Sequence, residues 1–387
     1  MATYSSLKGR GLLFLLFLWF IWLINYGCRT IFSPIMPLLE DEFLITHAKA
    51  SSLFAFTSAG YGASLFLSGI AASFIGYKRC VLISLSACAV ILFLVPQMTS
   101  FGNLTILGFL LGLATGIHLP AIIPIITDYY EERIWGKVLS LHDTGITFGV
   151  FVAPFVALFF ITFLNWRAMF YVLAAAFVAC AILFLFSCKR MEVHKIQKGF
   201  VLAVLKSRSL WILGTMWIFS VGANLAIYFI VPLYLTKELS FDIGHANTVF
   251  GFSRLGGAIV TIAAGFVVDR LSLKKTMFIV MFITGIFTLC LAHWNRHVVE
   301  IFLFVQPSLI VVFFPVGLVA ISKMFEKEKR SLAAGFLGAL SGLFGVGLLP
   351  YLLGLAGDHI SFRFGIFAMG IMVIITSGLT YFLKELD

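Results

Sequence analysis

Charge is what this chain has least of. Asp, Glu, Lys and Arg make up 11% of its 387 residues, against roughly a quarter in an ordinary soluble domain. Hydrophobic residues reach 61% and the mean hydropathy is +1.07. So few polar groups cannot coat a globule of this size in water. A soluble enzyme and a disordered chain are both excluded, and lipid is the expected solvent for most of the surface. Cysteine is also sparse: Cys28, Cys80, Cys88, Cys180, Cys188 and Cys290 form no C-x-x-C pair, so neither a disulfide framework nor a metal site is expected. No phosphate-cradling Gly-rich loop, H-E-x-x-H or D-x-D sequence occurs. No cofactor is therefore expected, and ATP-driven pumping by this chain alone is excluded.

The net charge of +10 would suggest nucleic acid in a soluble protein. Here no basic stripe interleaves with aromatic residues, so no nucleic-acid partner is expected. The first apolar run is too long for a cleavable signal peptide and leads into more of the same. A spanning helix needs ~20 apolar residues. Twelve candidates follow, at roughly 11–37, 49–73, 80–99, 104–127, 135–160, 167–188, 209–236, 246–268, 275–294, 299–322, 331–356 and 362–383. Runs this apolar lack the alternation of a barrel strand, so helices are expected.

With the N-terminus inside, 20 Lys and Arg fall in cytoplasmic segments and 5 outside, while Arg29 and Arg254 lie within spans. This is a strong positive-inside bias and places both termini in the cytoplasm. The longest loop, 189–208, carries six of the cytoplasmic charges. It divides the chain into 1–188, the linker 189–208, and 209–387. The halves match at one spacing: Ala50/Ala246, Phe54/Phe250, Gly60/Gly256, Gly69/Gly265, Gly149/Gly345, Pro154/Pro350 and Arg167/Arg363 are each 196 positions apart. A shared offset that includes Pro and Arg points to duplication. The fold class expected is an all-α membrane protein, with twelve transmembrane helices in two pseudo-symmetric six-helix bundles. Parallel six-helix repeats are a transporter architecture.

The loop after the eighth span reads Gly265-Phe-Val-Val-Asp269-Arg270-Leu-Ser-Leu-Lys274-Lys275, and its first-half copy Gly69-Ile-Ala-Ala-Ser73-Phe-Ile-Gly76-Tyr-Lys78-Arg79. Both resemble the GxxxDRxGRR signature of the major facilitator superfamily. The resemblance covers the whole chain. It implies a cytoplasmic latch at Gly69, Lys78, Arg79, Gly265, Asp269 and Arg270, weaker in the first copy, where Ser73 replaces Asp. It also implies a central cavity lined by the first helix and a rocker-switch cycle. Several organic-anion and sugar-phosphate carriers of this family place an Arg in that helix. Two departures weaken a drug-antiport reading: 145–154 lacks the closing Gly pair of the family's GPxxGG stretch, and Gly108 stands where an Arg is common.

Arg29 and Arg254 lie at similar depth, ~12 Å below the outer helix ends at 1.5 Å per residue. An intramembrane Arg costs about 2.5–3.5 kcal/mol or more and needs a partner or a watery cavity. The functional reading is a bidentate clamp on an anion; the structural one is an ion pair, with Asp143 as the candidate acid for Arg254. Asn25 and Ser33 extend a polar stripe around Arg29. Asn224 corresponds to Arg29 when the halves are aligned on Pro37 and Pro232, with Tyr228 one turn on. Gln306 is a further expected donor to substrate. Asp143 and His118, at mid-depth, are candidates to carry a co-transported proton, with His142 as an orienting neighbour. Tyr61 and Trp217 read as packing.

The expected function is secondary transport of a small carboxylate-type anion by proton symport across the cell inner membrane, as a monomer. Proton-driven efflux of an amphipathic compound is the alternative. A membrane enzyme should show clustered His or carboxylates at ligand spacing, and a receptor a large extra-membrane domain; neither is present.

Overall fold

A computed structural model of the chain describes residues 4–188, 205–257, 260, 272–293 and 295–386. The latch residues Gly265, Asp269 and Arg270 and most of the linker lie outside the described residues. Among those described, structure is helical throughout apart from a single bridge between Tyr4 and Tyr130. In lipid this is what the backbone demands, because a helix satisfies its own N–H and C=O groups.

Among the described residues, ten helical stretches are long and apolar enough to cross a membrane. A further helix, His47–Ile75, has spanning length at 29 residues. The remaining expected span, 246–268, is described through residue 257 and at 260, and opens with the helix Ile243–Phe252.

The first compact unit comprises Met1–Ile35 and Phe56–Ile196. Its helices are α1 (Gly9–Thr30), the start of α2 (Phe32–Phe43), α3 (His47–Ile75) from Phe56 onward, α4 (Tyr77–Leu94), α5 (Phe101–Gly116), α6 (His118–Tyr129), α7 (Trp135–Phe163) and α8 (Trp166–Ser187). α1 and α2 form one span broken at Ile31, and α5 and α6 one span broken at Ile117. The cause is local. Pro34 and Pro120 have no N–H to offer the carbonyls of Thr30 and Gly116, four residues back, where α1 and α5 stop. The first span runs to Phe43 rather than the expected 37, because the helix continues through Pro37. α3 and α4 meet at Gly76, whose φ of +84° is a left-handed conformation that favours glycine. Lys78 then donates to the Leu185 carbonyl at 2.7 Å, capping the last turn of α8, while Arg79 is exposed.

Small residues set the helix contacts of this unit. A Cβ on Gly60 would lie 2.1 Å from the Phe109 carbonyl, one on Gly112 2.0 Å from the Thr57 carbonyl, and one on Gly149 2.9 Å from the Leu23 carbonyl. Close backbone approach of this kind substitutes for the hydrophobic effect in lipid. Gly112→Ala is expected to cost about 1–3 kcal/mol by overpacking, read as a lowered melting temperature in detergent. Gly136→Ala, with nothing within 4 Å, should stay near neutral.

The second unit comprises Met36–Ala55 and Gln197–Asp387. It holds α9 (Arg208–Val221), α10 (Ile227–Leu233), α11 (Ile243–Phe252), α12 (Leu273–Leu291), α13 (Arg296–Ile310), α14 (Phe313–Met324), α15 (Lys327–Leu340), α16 (Leu349–His359) and α17 (Phe362–Ser377). π-helical segments interrupt it at Gly222–Ala226, Tyr234–Glu238 and Ser341–Leu348. α13 and α14 break before Pro315 as α1 and α5 break before theirs. The glycine contacts repeat as well. Gly345 meets the Ile218 carbonyl at 2.8 Å as Gly149 meets that of Leu23, and Gly256 meets Ser308 as Gly60 meets the stretch from Phe109 to Leu113. The sequence duplication is therefore also a duplication of contacts.

Candidate functional site

In the first unit, Trp22, Asn25, Tyr26 and Arg29 occupy positions i, i+3, i+4 and i+7 of α1 and so share one face. The Arg29 guanidinium carbon lies 4.1 Å from the ring centroid of Tyr61 on α3 and 4.7 Å from that of Tyr26. Its Nε and Nη2 are buried with no hydrogen-bond partner. Those two atoms form the side-on edge of the guanidinium, which presents two parallel N–H groups to a carboxylate or phosphate. Asn25 is fully buried, with both amide atoms also unpartnered. Ser64, a turn beyond Tyr61 on α3, is buried and unpartnered too. Buried polar atoms are almost always satisfied, so a cluster of exceptions calls for an explanation such as a ligand or water.

One turn from Asn25, the Trp22 indole stacks on two imidazoles. The His118 ring lies 5.6 Å away at 15° and the His142 ring 5.8 Å away at 13°. Both His118 nitrogens and His142 Nε2 are buried without partners. The break at Ile117 delivers His118 to this position, at the start of α6. Asp143, the other candidate proton carrier, differs from the two imidazoles in burial. His142 points at Trp22 and is 2% exposed, while Asp143, 100° further round α7, is exposed. The strip from Trp22 to Arg29 is ~10 Å long at 1.5 Å per residue.

In the second unit, Arg254 follows α11 directly. Its Nη1 donates to Asn224 Oδ1 at 2.9 Å, and its guanidinium lies 4.6 Å from the Tyr228 ring centroid. Asn224 sits inside the π segment Gly222–Ala226, which widens the helix at this point. The Ala223 carbonyl of the same segment accepts from Gln306 Nε2 at 2.8 Å, and Thr288 Oγ1 lies 3.2 Å from that nitrogen. Asn224, Tyr228 and Arg254 thus converge, and Gln306 joins them through one peptide. The two arginines differ: an edge of Arg29 is open, whereas Arg254 is tied to Asn224. A double-mutant cycle between Arg254→Ala and Asn224→Ala should show coupling of about 1.5–3 kcal/mol in stability, the scale of a hydrogen bond to a charged group. Additive losses of melting stability would contradict that tie.

Sequence reasoning treated Tyr61 as packing and did not single out Trp22, Tyr26 as a ring partner, or Ser64. The stripe Trp22-Asn25-Tyr26-Arg29 was legible from helical spacing alone. Tyr61 and Ser64 were not, because only the glycine contacts between α3 and α5 bring them alongside; a Cβ on Gly116 would lie 2.7 Å from the Tyr61 carbonyl.

The family model of the Major Facilitator Superfamily matches residues 18–295 and 216–386. The hexuronate transporter of Bacillus subtilis is 21% identical over 269 residues, covering 65% of this chain and 63% of that protein, less than two thirds of its length. The cis,cis-muconate transport protein of Acinetobacter baylyi is 23% identical over 368 residues, covering 90% of this chain and 88% of that one. The membrane sensor protein UhpC of Escherichia coli is 23% identical over 353 residues, 82% and 80% of the two chains. Among solved structures, an inward-facing bacterial homolog to the human lysosomal transporter Spinster superposes with a TM-score of 0.80 at 13% identity over 98% of both chains. A D-xylose-proton symporter gives 0.75 at 16% identity, over 96% of this chain and 99% of its own. At these identities the structures show the fold alone. The family transports and does not catalyse. Matched along nearly all its length, helical wherever described and built from a repeated half, this chain belongs to the Major Facilitator Superfamily.

Proposed function

We propose that this chain is a secondary transporter of a small carboxylate-type anion, driven by proton symport, with access alternating between the two faces of the membrane. The observation that carries the reading is the open, buried Nε–Nη2 edge of Arg29. A charge held in lipid without an acid beside it is costly, and a bidentate anion would satisfy both N–H groups at once. The names of the hexuronate and muconate relatives, both carboxylate anions, support the same substrate class. His118 and His142 stack on Trp22, at one end of the strip that leads to Arg29, and Asp143 follows His142 in the chain, so protonation there would be felt near the anion site; this supports their assignment to coupling. Arg254, Asn224, Tyr228 and Gln306 are assigned to the second half's share of substrate binding. The Lys and Arg distribution supports an inner-membrane location with both termini cytoplasmic, and the protein is taken to act as a monomer.

The test is a thermal-shift screen of the purified protein against mono- and dicarboxylates, sugar acids and phosphate esters. A carboxylate is expected to raise the melting temperature of the parent protein and to leave Arg29→Ala unmoved. Stabilisation only by neutral or cationic amphipaths would replace this reading with efflux.

A further inference from the structure

Residues 36–55 belong by repeat to the first half, yet they pack in the second unit, and what holds them there is polar. The two carboxylate oxygens of Asp358, at the end of α16, accept from the backbone N–H groups of His47 (2.7 Å) and Ala48 (2.9 Å). They thereby cap the start of α3 from another helix. A Cβ on Gly354 would lie 2.8 Å from the His47 carbonyl and from Ser51 Oγ, so α16 and α3 touch backbone to backbone. Phe54 stacks on Phe229 at 4.0 Å. Asp41 pairs with Lys237, and Glu238 accepts from the Phe362 N–H at 2.6 Å and pairs with Arg363 at 3.2 Å.

At the centre is Glu40, 4% exposed, with both carboxylate oxygens 2.9 Å from His47 Nδ1. The His47 ring also lies 4.7 Å from Phe362 and keeps 25% of its side chain open to solvent. Protons from solution can therefore reach His47, and that ring is the cationic group hydrogen-bonded to Glu40. The other charged groups of this junction are accounted for. Lys237 and Asp358 act on both members of the pair electrostatically, but Lys237 is held by Asp41 and Asp358 by the α3 backbone. Glu238 and Arg363 hold each other, and Glu42, Lys49 and His359 are exposed.

We propose that Glu40 and His47 form a proton-binding site that keeps this junction closed at the face which the Lys and Arg distribution assigns to the outside. With His47 protonated, the pair is neutral and stays buried. With His47 neutral, Glu40 is a buried carboxylate without its cation, and the junction relieves that cost by parting until water reaches it. The hydrogen bond from His47 to Glu40 is the largest influence on the imidazole and raises its pKa above the ordinary value, about 6.5. The sign follows. A group whose pKa is raised in the closed form favours that form below its unperturbed pKa and loses the effect as pH rises through the raised value. Acid therefore closes the junction and alkali frees it.

Ser51→Cys reports the state, because Ser51 is fully buried against α16 and a thiol is nearly isosteric. Labelling by a polar thiol reagent is measured in nanodiscs without substrate, so the outcome does not depend on the transport reading. Each rate is divided by that of Leu44→Cys, 91% exposed, at the same pH, which cancels thiolate ionisation. The ratio is expected to rise severalfold as pH rises from below the ordinary imidazole value through the raised one. Adding His47→Gln should make it high and flat, and adding His47→Arg low and flat. Where His47→Gln does not yield folded protein, Glu40→Gln serves as the pH-insensitive arm. A parent ratio that does not change with pH, or a His47→Gln ratio that still does, overturns the proposal.

Discussion

Arg29→Lys is expected to lower uptake about a hundredfold while leaving expression and melting temperature close to those of the parent. Lysine keeps the charge but not the planar fork. A buried, hydrogen-bonded charge pair that loses one partner forfeits about 2–5 kcal/mol, and retention of the charge places the loss toward the lower end. The open Nε–Nη2 edge makes the prediction specific to this arginine. Arg254→Lys, at a residue already engaged with Asn224, should reduce uptake less and stability more. Initial rates of labelled-anion uptake in proteoliposomes, beside thermal melts of the same preparations, check both halves. Near-parent transport by Arg29→Ala would remove the anion site from α1.

Net uptake should disappear in Asp143→Asn while exchange of labelled for unlabelled substrate survives. An amide occupies the same space but cannot give up or take a proton, so a carrier that must return empty and deprotonated is stopped at that step. One that returns loaded is not. In the parent protein, uptake should rise as outside pH falls and collapse with a protonophore. Accumulation that is unchanged in both Asp143→Asn and His118→Ala would move coupling elsewhere, and the Glu40–His47 pair would be the next group to test.

The spans and the duplicated halves were legible because each rests on a property that repeats along the chain, such as apolar run length or a fixed offset. Arg29 was legible because an intramembrane guanidinium is conspicuous against lipid. Its surroundings were only half legible. Trp22 to Arg29 form a stripe at helical spacing, while the phenol of Tyr61 arrives from α3 through glycine contacts that no local pattern encodes. The breaks at Ile31 and Ile117 could have been read from the prolines four residues beyond the last turns. The exposure of Asp143 could not, since neighbouring positions on α7 differ only in which way they turn, and packing against α1 decides that.

The π segment Tyr234–Glu238 lies where the spacing between the two halves changes by one residue. Ahead of it the two halves are 195 positions apart, as Leu23 and Ile218 show by meeting equivalent glycines, and Pro37 and Pro232 keep that distance. Beyond it the distance is 196, and Leu44 and Ser240, at φ of +51° and +54°, make the same left-handed turn in each copy. The second copy therefore holds one residue more than the first between its proline and its left-handed turn. A helix cannot lengthen between two anchored ends, but a turn closed by i→i+5 bonds holds an extra residue without moving them. The extra residue is accommodated in a wider coil, and Lys237 and Glu238, which hold Asp41 and Arg363, lie within it. Excising one residue from 234–238 should restore an α-helical register there and turn both of those side chains away from their partners.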